Sequence, residues 1–103
     1  MTFKPRYAPE FRREIDRAVD YLQYEKGNPS AAHALVDEFD RAIETVLLFP
    51  NAMPVWMDSE QTELKYRSVK VKNYLAFYVV DGDTIEFRRF LLAFSDLKSQ
   101  LLQ

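Results

Sequence analysis

Two short polar breaks in the second half of the chain constrain its fold most tightly. Lys72-Asn73 separates the run Leu64–Val71 from Tyr74–Val80, and Asp81-Gly82-Asp83 separates Tyr74–Val80 from Thr84–Leu92. Breaks this short leave room for hairpin turns and nothing longer, so the three runs are predicted to be consecutive antiparallel strands. In the first, Val69 and Val71 point one way and Ser68 and Lys70 the other. The middle run is apolar on both faces and is therefore predicted to be central. In the third, Ile85 and Phe87 share a face.

The first half has a different period. Pro9-Glu10 opens a helix whose apolar residues Phe11, Ile15, Ala18, Val19 and Leu22 form one stripe. Lys26-Gly27 is a common ending. Asn28-Pro29 then supplies an N-cap and a first helical residue, and Ala32, Leu35, Val36, Phe39, Ile43 and Val46 mark a second stripe that stops at Pro50. Neither stripe is satisfied alone, so both helices need a sheet to pack on. Phe3–Tyr7 reads as a short opening strand, with Pro5 arguing for an edge position. Ser95 is placed to cap a short closing helix with Leu97 and Leu101 on one side. Pro50–Glu63 has no period and reads as a loop. The expected order is β-α-α-β-β-β-α: an α+β domain with a helical hairpin packed on one face of a mostly antiparallel four-stranded sheet. The 103 residues make a single domain spanning 1–103.

Charge narrows the function classes. The net charge is −2. Residues 65–90 nevertheless carry six basic side chains (Lys65, Arg67, Lys70, Lys72, Arg88, Arg89) against three acidic ones (Asp81, Asp83, Glu86). A dedicated nucleic-acid binder is usually more basic overall, although a local patch is compatible with this balance. Cysteine is absent, which excludes disulfide and thiolate chemistry. His33 is the only histidine, and without Cys or a second His it makes no usual metal site. No apolar run approaches the roughly 20 residues of a membrane helix, and the N-terminus carries no apolar signal segment. A cytoplasmic protein with no membrane contact, no metal and no cofactor is the expectation.

Three stretches carry a family resemblance: NPSAAHALVDEFDRAIETVLLFP, YRSVKVKNYLAFYVVDGDTIEFRRFLL and the closing SDL. In this order and at these lengths they resemble the RelE/ParE superfamily of toxins from bacterial type II toxin–antitoxin systems. The hairpin opened by NPSAA and closed by FP is most similar to the ParE side. The resemblance implies a cognate antitoxin as partner. It also implies one of two targets: DNA gyrase, poisoned by binding, or messenger RNA, cleaved at the ribosome without a metal.

Metal-free RNA cleavage needs a deprotonated 2′-hydroxyl, a stabilised pentavalent phosphate and a protonated leaving oxygen. Under the resemblance, the residues for it here are Arg67, Lys70 and Arg89. Lys70 falls where the RelE side carries a lysine. Leu75 stands where that side often has a phosphate-contacting arginine. Arg89 and Asp96 match the family's closing motif, but Leu92, Phe94 and Ser95 replace its histidine and two arginines. No tyrosine follows Tyr78 to serve as a late acid. These departures favour gyrase inhibition over an endoribonuclease. A non-toxic relative that only binds its antitoxin is a further alternative. Arg67, Lys70 and Lys72 also have a plainer reading, as charges that keep an exposed sheet soluble.

Arg88 and Arg89 are adjacent in a strand and are expected on opposite faces, one of them paired with a helix carboxylate. Tyr74 and Tyr78 are assigned to the core. Trp56 and its neighbouring methionines either cap the core edge or form an exposed contact site. Val55, Trp56 and Met57, with Leu91, Leu92 and Phe94, have no obvious internal claimant. They are the expected apolar anchors for the antitoxin, whose acidic residues would meet Arg67, Lys70 or Arg89.

Overall fold

The computed structural model describes residues 2–58 and 65–101. The chain runs β1 (Lys4–Tyr7), α1 (Pro9–Asp20), a π-helical turn (Tyr21–Glu25), α2 (Pro29–Leu48), β2 (Val55–Asp58), β3 (Lys65–Val71), β4 (Tyr74–Asp81), β5 (Thr84–Leu92) and α3 (Leu97–Leu101). The sheet has five strands in the order β1-β5-β4-β3-β2. It is mixed, because β1 runs parallel to β5 while every other pairing is antiparallel.

One expectation is corrected here. Val55–Asp58, read as loop, forms the fifth strand on the β3 edge, with a register shift between Val55 and Met57. Two of its four residues, Val55 and Trp56, favour a pleated surface, but it is too short to show a period. Residues 59–63 of the same predicted loop, and Leu64, lie outside the described residues.

Both helix starts follow local chemistry. Pro9 occupies the first turn of α1. At α2 the Asn28 side chain accepts a hydrogen bond from the Ala31 amide at 3.1 Å, with Pro29 at the first helical position. Between the helices, Lys26 N donates to Tyr21 O, a five-residue step that widens the last turn. Gly27 then takes φ +59° and lets the chain reverse.

The main core lies between the helices and one sheet face. It contains Phe11, Ala18, Leu35, Ile43 and Val46 from the helices, with Val69, Val71, Ala76, Tyr78, Ile85, Phe87 and Phe90 from the sheet. A smaller apolar cluster covers the opposite face, where Leu97 and Leu101 of α3 pack with Phe77 and Leu91. β4 feeds both clusters, Tyr74, Ala76 and Tyr78 on the helix side and Leu75 and Phe77 on the other, as its two-sided apolar pattern predicted.

A bulge interrupts β5. Phe77 lies opposite Arg89 and Tyr78 opposite Phe87, so Arg88 has no partner across the ladder. Phe87 and Phe90 both enter the helix-side core. The strict alternation expected for Arg88 and Arg89 therefore does not hold.

Candidate functional site

The three basic residues singled out from the sequence do not converge. Arg67 shares the helix-facing side of β3 with Val69 and Val71, and lies opposite Tyr78 across the ladder. Its guanidinium donates to the carbonyls of Asn51, at 3.3 Å, and Met53. Tyr78 donates from its hydroxyl to Pro50 O at 2.8 Å, and burial pushes its phenol up to about 12. The pair thus fastens the α2–β2 connection from beneath.

Arg89 is held from two sides. Its Nε and Nη2 donate to the two Glu14 oxygens at 3.0 and 2.9 Å, and Nη1 donates to Gln100 O at 2.6 Å. Glu14 also accepts the Phe90 amide at 3.0 Å. One carboxylate on α1 therefore serves β5 twice, and Arg89 ties α1 to α3. The expected pairing of one β5 arginine with a helix carboxylate is this one.

Lys70 alone is exposed and makes no hydrogen bond or ion pair among the described residues. It stands on the opposite sheet face, across from Leu75. One cation beside a leucine offers a phosphate a single contact and no acid–base pair.

The opposite face carries a second polar group. Glu86 accepts from Arg6 at 2.9 Å and from Arg88 at 2.5 Å, and Arg88 lies over the Tyr66 ring at 5.9 Å. Burial alone would raise the Glu86 carboxyl, but the hydrogen bonds and charges of Arg88 and Arg6 outweigh it and hold the group below the ordinary carboxylate range. A carboxyl depressed by folding contributes stability above its unfolded pKa, and that contribution is lost as pH falls through the folded value. Glu86→Gln should therefore lower Tm at neutral pH. The gap to the unsubstituted protein should narrow as pH drops below the ordinary carboxyl range. A gap that stays constant into acid would disprove the linkage.

The apolar anchor set divides. Val55 and Leu92 are partly exposed, and Phe94 is 91% exposed. Leu91 is buried under α3, and Trp56 meets Phe77 edge-on at 5.3 Å. Those two do have an internal claimant, since α3 closes over the face that the sequence left open. The Met57 side chain lies outside what the structure describes. Exposed apolar residues that sequence reasoning missed are Tyr21 and Tyr24 on the π turn and Leu48 and Phe49 at the end of α2. Tyr21 and Tyr24 were detectable, because both fall off the Phe11-Ile15-Ala18-Val19-Leu22 stripe.

Among the described residues no group of three His, Cys, Asp or Glu is arranged to hold a metal ion, and no helix is long and apolar enough to cross a membrane. His33 is exposed on α2 beside a cleft lined by Val19, Pro29 and Ala32.

The fold has solved counterparts. A chain of the chromosomal ParDE toxin–antitoxin system from P. aeruginosa superposes with a TM-score of 0.67 at 16% identity, covering 88% of this chain and 96% of that one. A chain of the E. coli DinJ-YafQ toxin–antitoxin complex gives 0.56 at 9% identity, covering 92% and 100%. YafQ from E. coli strain BL21(DE3) gives 0.50 at 13% identity, covering 98% and 99%. At these identities the likeness is one of fold. No curated protein sequence matches the chain. The family model for the ParE toxin of the type II toxin–antitoxin system parDE matches residues 6–93. A match over this span, on a fold shared with a ParDE structure, means that the chain belongs to the ParE toxin family.

Proposed function

We propose that this ParE-family toxin acts by binding DNA gyrase and is held inactive by a cognate antitoxin, both partners meeting it in the cytoplasm. The observation that carries the choice of mechanism is the engagement of the basic residues. Arg67 is committed to the carbonyls of Asn51 and Met53, and Arg89 to Glu14 and Gln100. Of the three candidate catalytic residues, Lys70 alone faces solvent without a partner among the described residues. An associative phosphoryl transition state needs several donors around the developing charge, and removing a single such donor costs about 3–4 kcal/mol in well-studied enzymes. Leu75, across the ladder from Lys70, supplies none. Inhibition by binding asks nothing of these positions. The antitoxin is supported by the family and by the two toxin–antitoxin systems that share the fold.

The test runs two assays on one preparation. Purified protein should abolish gyrase supercoiling of relaxed plasmid and leave messenger RNA on programmed ribosomes intact. Codon-positioned cuts that vanish in Lys70→Ala, with supercoiling untouched, would reverse the assignment to a ribosome-dependent endoribonuclease. Silence in both assays would leave only the antitoxin-binding role.

A further inference from the structure

Where β1 meets the helical hairpin, aromatic rings wall a hollow of about 310 Å³, lined by Tyr7, Phe11, Arg12, Ile15, Asp16 and Phe39. Tyr7 stacks on Phe11 at 5.9 Å and on Phe87 at 5.6 Å, and Phe39 meets Phe11 at 5.8 Å. The buried Phe11 ring therefore fixes both half-buried walls. Arg12 is exposed, and its guanidinium lies over the Tyr7 ring at 5.3 Å. Two exposed carboxylates flank the rings: Asp16 lines the hollow, and Asp40 follows Phe39 on α2. Burial raises the Tyr7 phenol above its ordinary value; Arg12 opposes this, and Asp40 is close enough to add to it. Among the described residues neither carboxylate forms an ion pair. Arg12 sits on the ring and not on Asp16, one turn further along α1.

We infer that this hollow is a seat for a guanidinium group on an apolar stem, and that Arg12 is its internal occupant, displaced on binding. Charge sets the sign of the ligand. Two carboxylates against one guanidinium leave the hollow net negative, so a phosphate or a carboxylate is disfavoured and a cation favoured. The faces of Tyr7 and Phe39 act in the same direction, because an aromatic ring attracts a cation placed over it. Size sets the scale. Pockets that bury a drug-sized ligand run from roughly 300 to 1,000 Å³, so this one takes a single side chain or a fragment and is too small for a dinucleotide cofactor. Shape sets the group. A guanidinium is planar, weakly hydrated and stacks on aromatic faces, whereas an ammonium holds its water more strongly. Arg12 shows that the Tyr7 face accepts a guanidinium. Ile15 and Phe39, both half-buried, offer the stem an apolar wall. Arg12 gives way easily, since a cation–ring contact at an exposed position is weak. Two sources carry this chemistry: an arginine side chain of a partner protein, or a free alkylguanidine.

The test is an NMR titration of the isotopically labelled full chain with three probes. These are N-butylguanidinium, its neutral isostere N-butylurea, and a nine-residue peptide with one arginine between aliphatic residues. Saturable shifts should appear at Tyr7, Ile15, Phe39 and Asp40 with butylguanidinium, in about the millimolar range expected of so small a ligand, and not with butylurea. Arg12→Ala should strengthen binding about two- to fivefold, because the competing internal contact is gone. The double variant Asp16→Asn, Asp40→Asn should weaken it at least about threefold. All three substitutions are on exposed side chains, and the dispersion of the amide spectrum verifies folding. A response to the peptide at least as strong as to butylguanidinium supports the seat and names a partner's arginine as the source. A response to butylguanidinium alone supports it and names a free molecule. Silence of both guanidinium probes overturns the inference. So does equal binding of butylurea, which would leave only an apolar hollow. Arg12→Ala binding no tighter than the unsubstituted protein overturns the role of Arg12 as occupant. The readout is binding at this hollow, so its failure leaves the supercoiling assay to judge the gyrase reading independently.

Discussion

Replacing Glu14 with alanine should destabilise the fold by about 3–5 kcal/mol, the range for breaking a buried pair from one side. The Glu14 side chain is 9% exposed and its Arg89 partner 19%. Removing the carboxylate leaves three faults at once. The Arg89 guanidinium stays in a largely dry position without its counter-charge. The Phe90 amide loses its acceptor beside the bulge, where the ladder to β4 is already irregular. The contact from Arg89 to Gln100 O loses its support, so α3 loosens over Phe77 and Leu91. Glu14→Gln should lose less, since it keeps an oxygen for the Phe90 amide. The double variant Glu14→Ala, Arg89→Met should recover part of the loss, because no orphaned charge remains. Urea denaturation of the three variants measures this directly. A double variant as unstable as Glu14→Ala would mean that the pair stabilises through packing and not through charge.

Glu14 also shows where the sequence stopped being legible. It sits on the polar side of the α1 pattern, and nothing in its neighbourhood of the chain points to a residue 75 positions away. The helices themselves were legible because their signals are local: two 3.6-residue stripes, the Asn28-Pro29 start and the Lys26-Gly27 stop. The β3–β4–β5 meander was legible for the same reason, through its two short turns. The parallel β1–β5 pairing was not, because it depends on chain segments some 80 residues apart. β2 was missed because four residues hold no period, and its strand character comes from lying against β3. The basic residues fared likewise. Arg67 reads as a surface charge until the α2–β2 connection folds over it with three carbonyls turned inward, two to Arg67 and one to Tyr78. Arg88 and Arg89 read as alternating until the bulge places both between Phe87 and Phe90. Leu91 reads as spare until α3 covers it. Phe94, by contrast, lies in a turn with nothing over it, and its exposure followed from its position after the last strand. The family resemblance reached further than any of these local patterns, because it reads the order of pieces along the whole chain.

Phe11→Ala should destabilise the protein by about 3–5 kcal/mol, comparable to Glu14→Ala but by a different route. Phe11 is 1% exposed and sits at the centre of an aromatic cluster. Its ring centroid lies 5.9 Å from Tyr7, 5.8 Å from Phe39, 5.7 Å from Phe87 and 5.8 Å from Phe90. One side chain on the first turns of α1 thus touches β1, α2 and both sides of the β5 bulge. Alanine removes the ring from all of them and leaves a cavity bounded by strands that cannot easily close, so the loss combines transfer and cavity contributions. Phe11→Leu keeps most of the volume and should lose markedly less. Surface substitutions such as Phe94→Ser should stay within about 0.5 kcal/mol of the unsubstituted protein. Phe11 and Glu14 lie one turn apart on α1 and together fix that helix against β5. Urea denaturation of Phe11→Ala and Phe11→Leu measures the two losses. A Phe11→Ala loss no larger than that of Phe11→Leu would show that the surrounding strands and α2 close around the missing ring and leave no cavity.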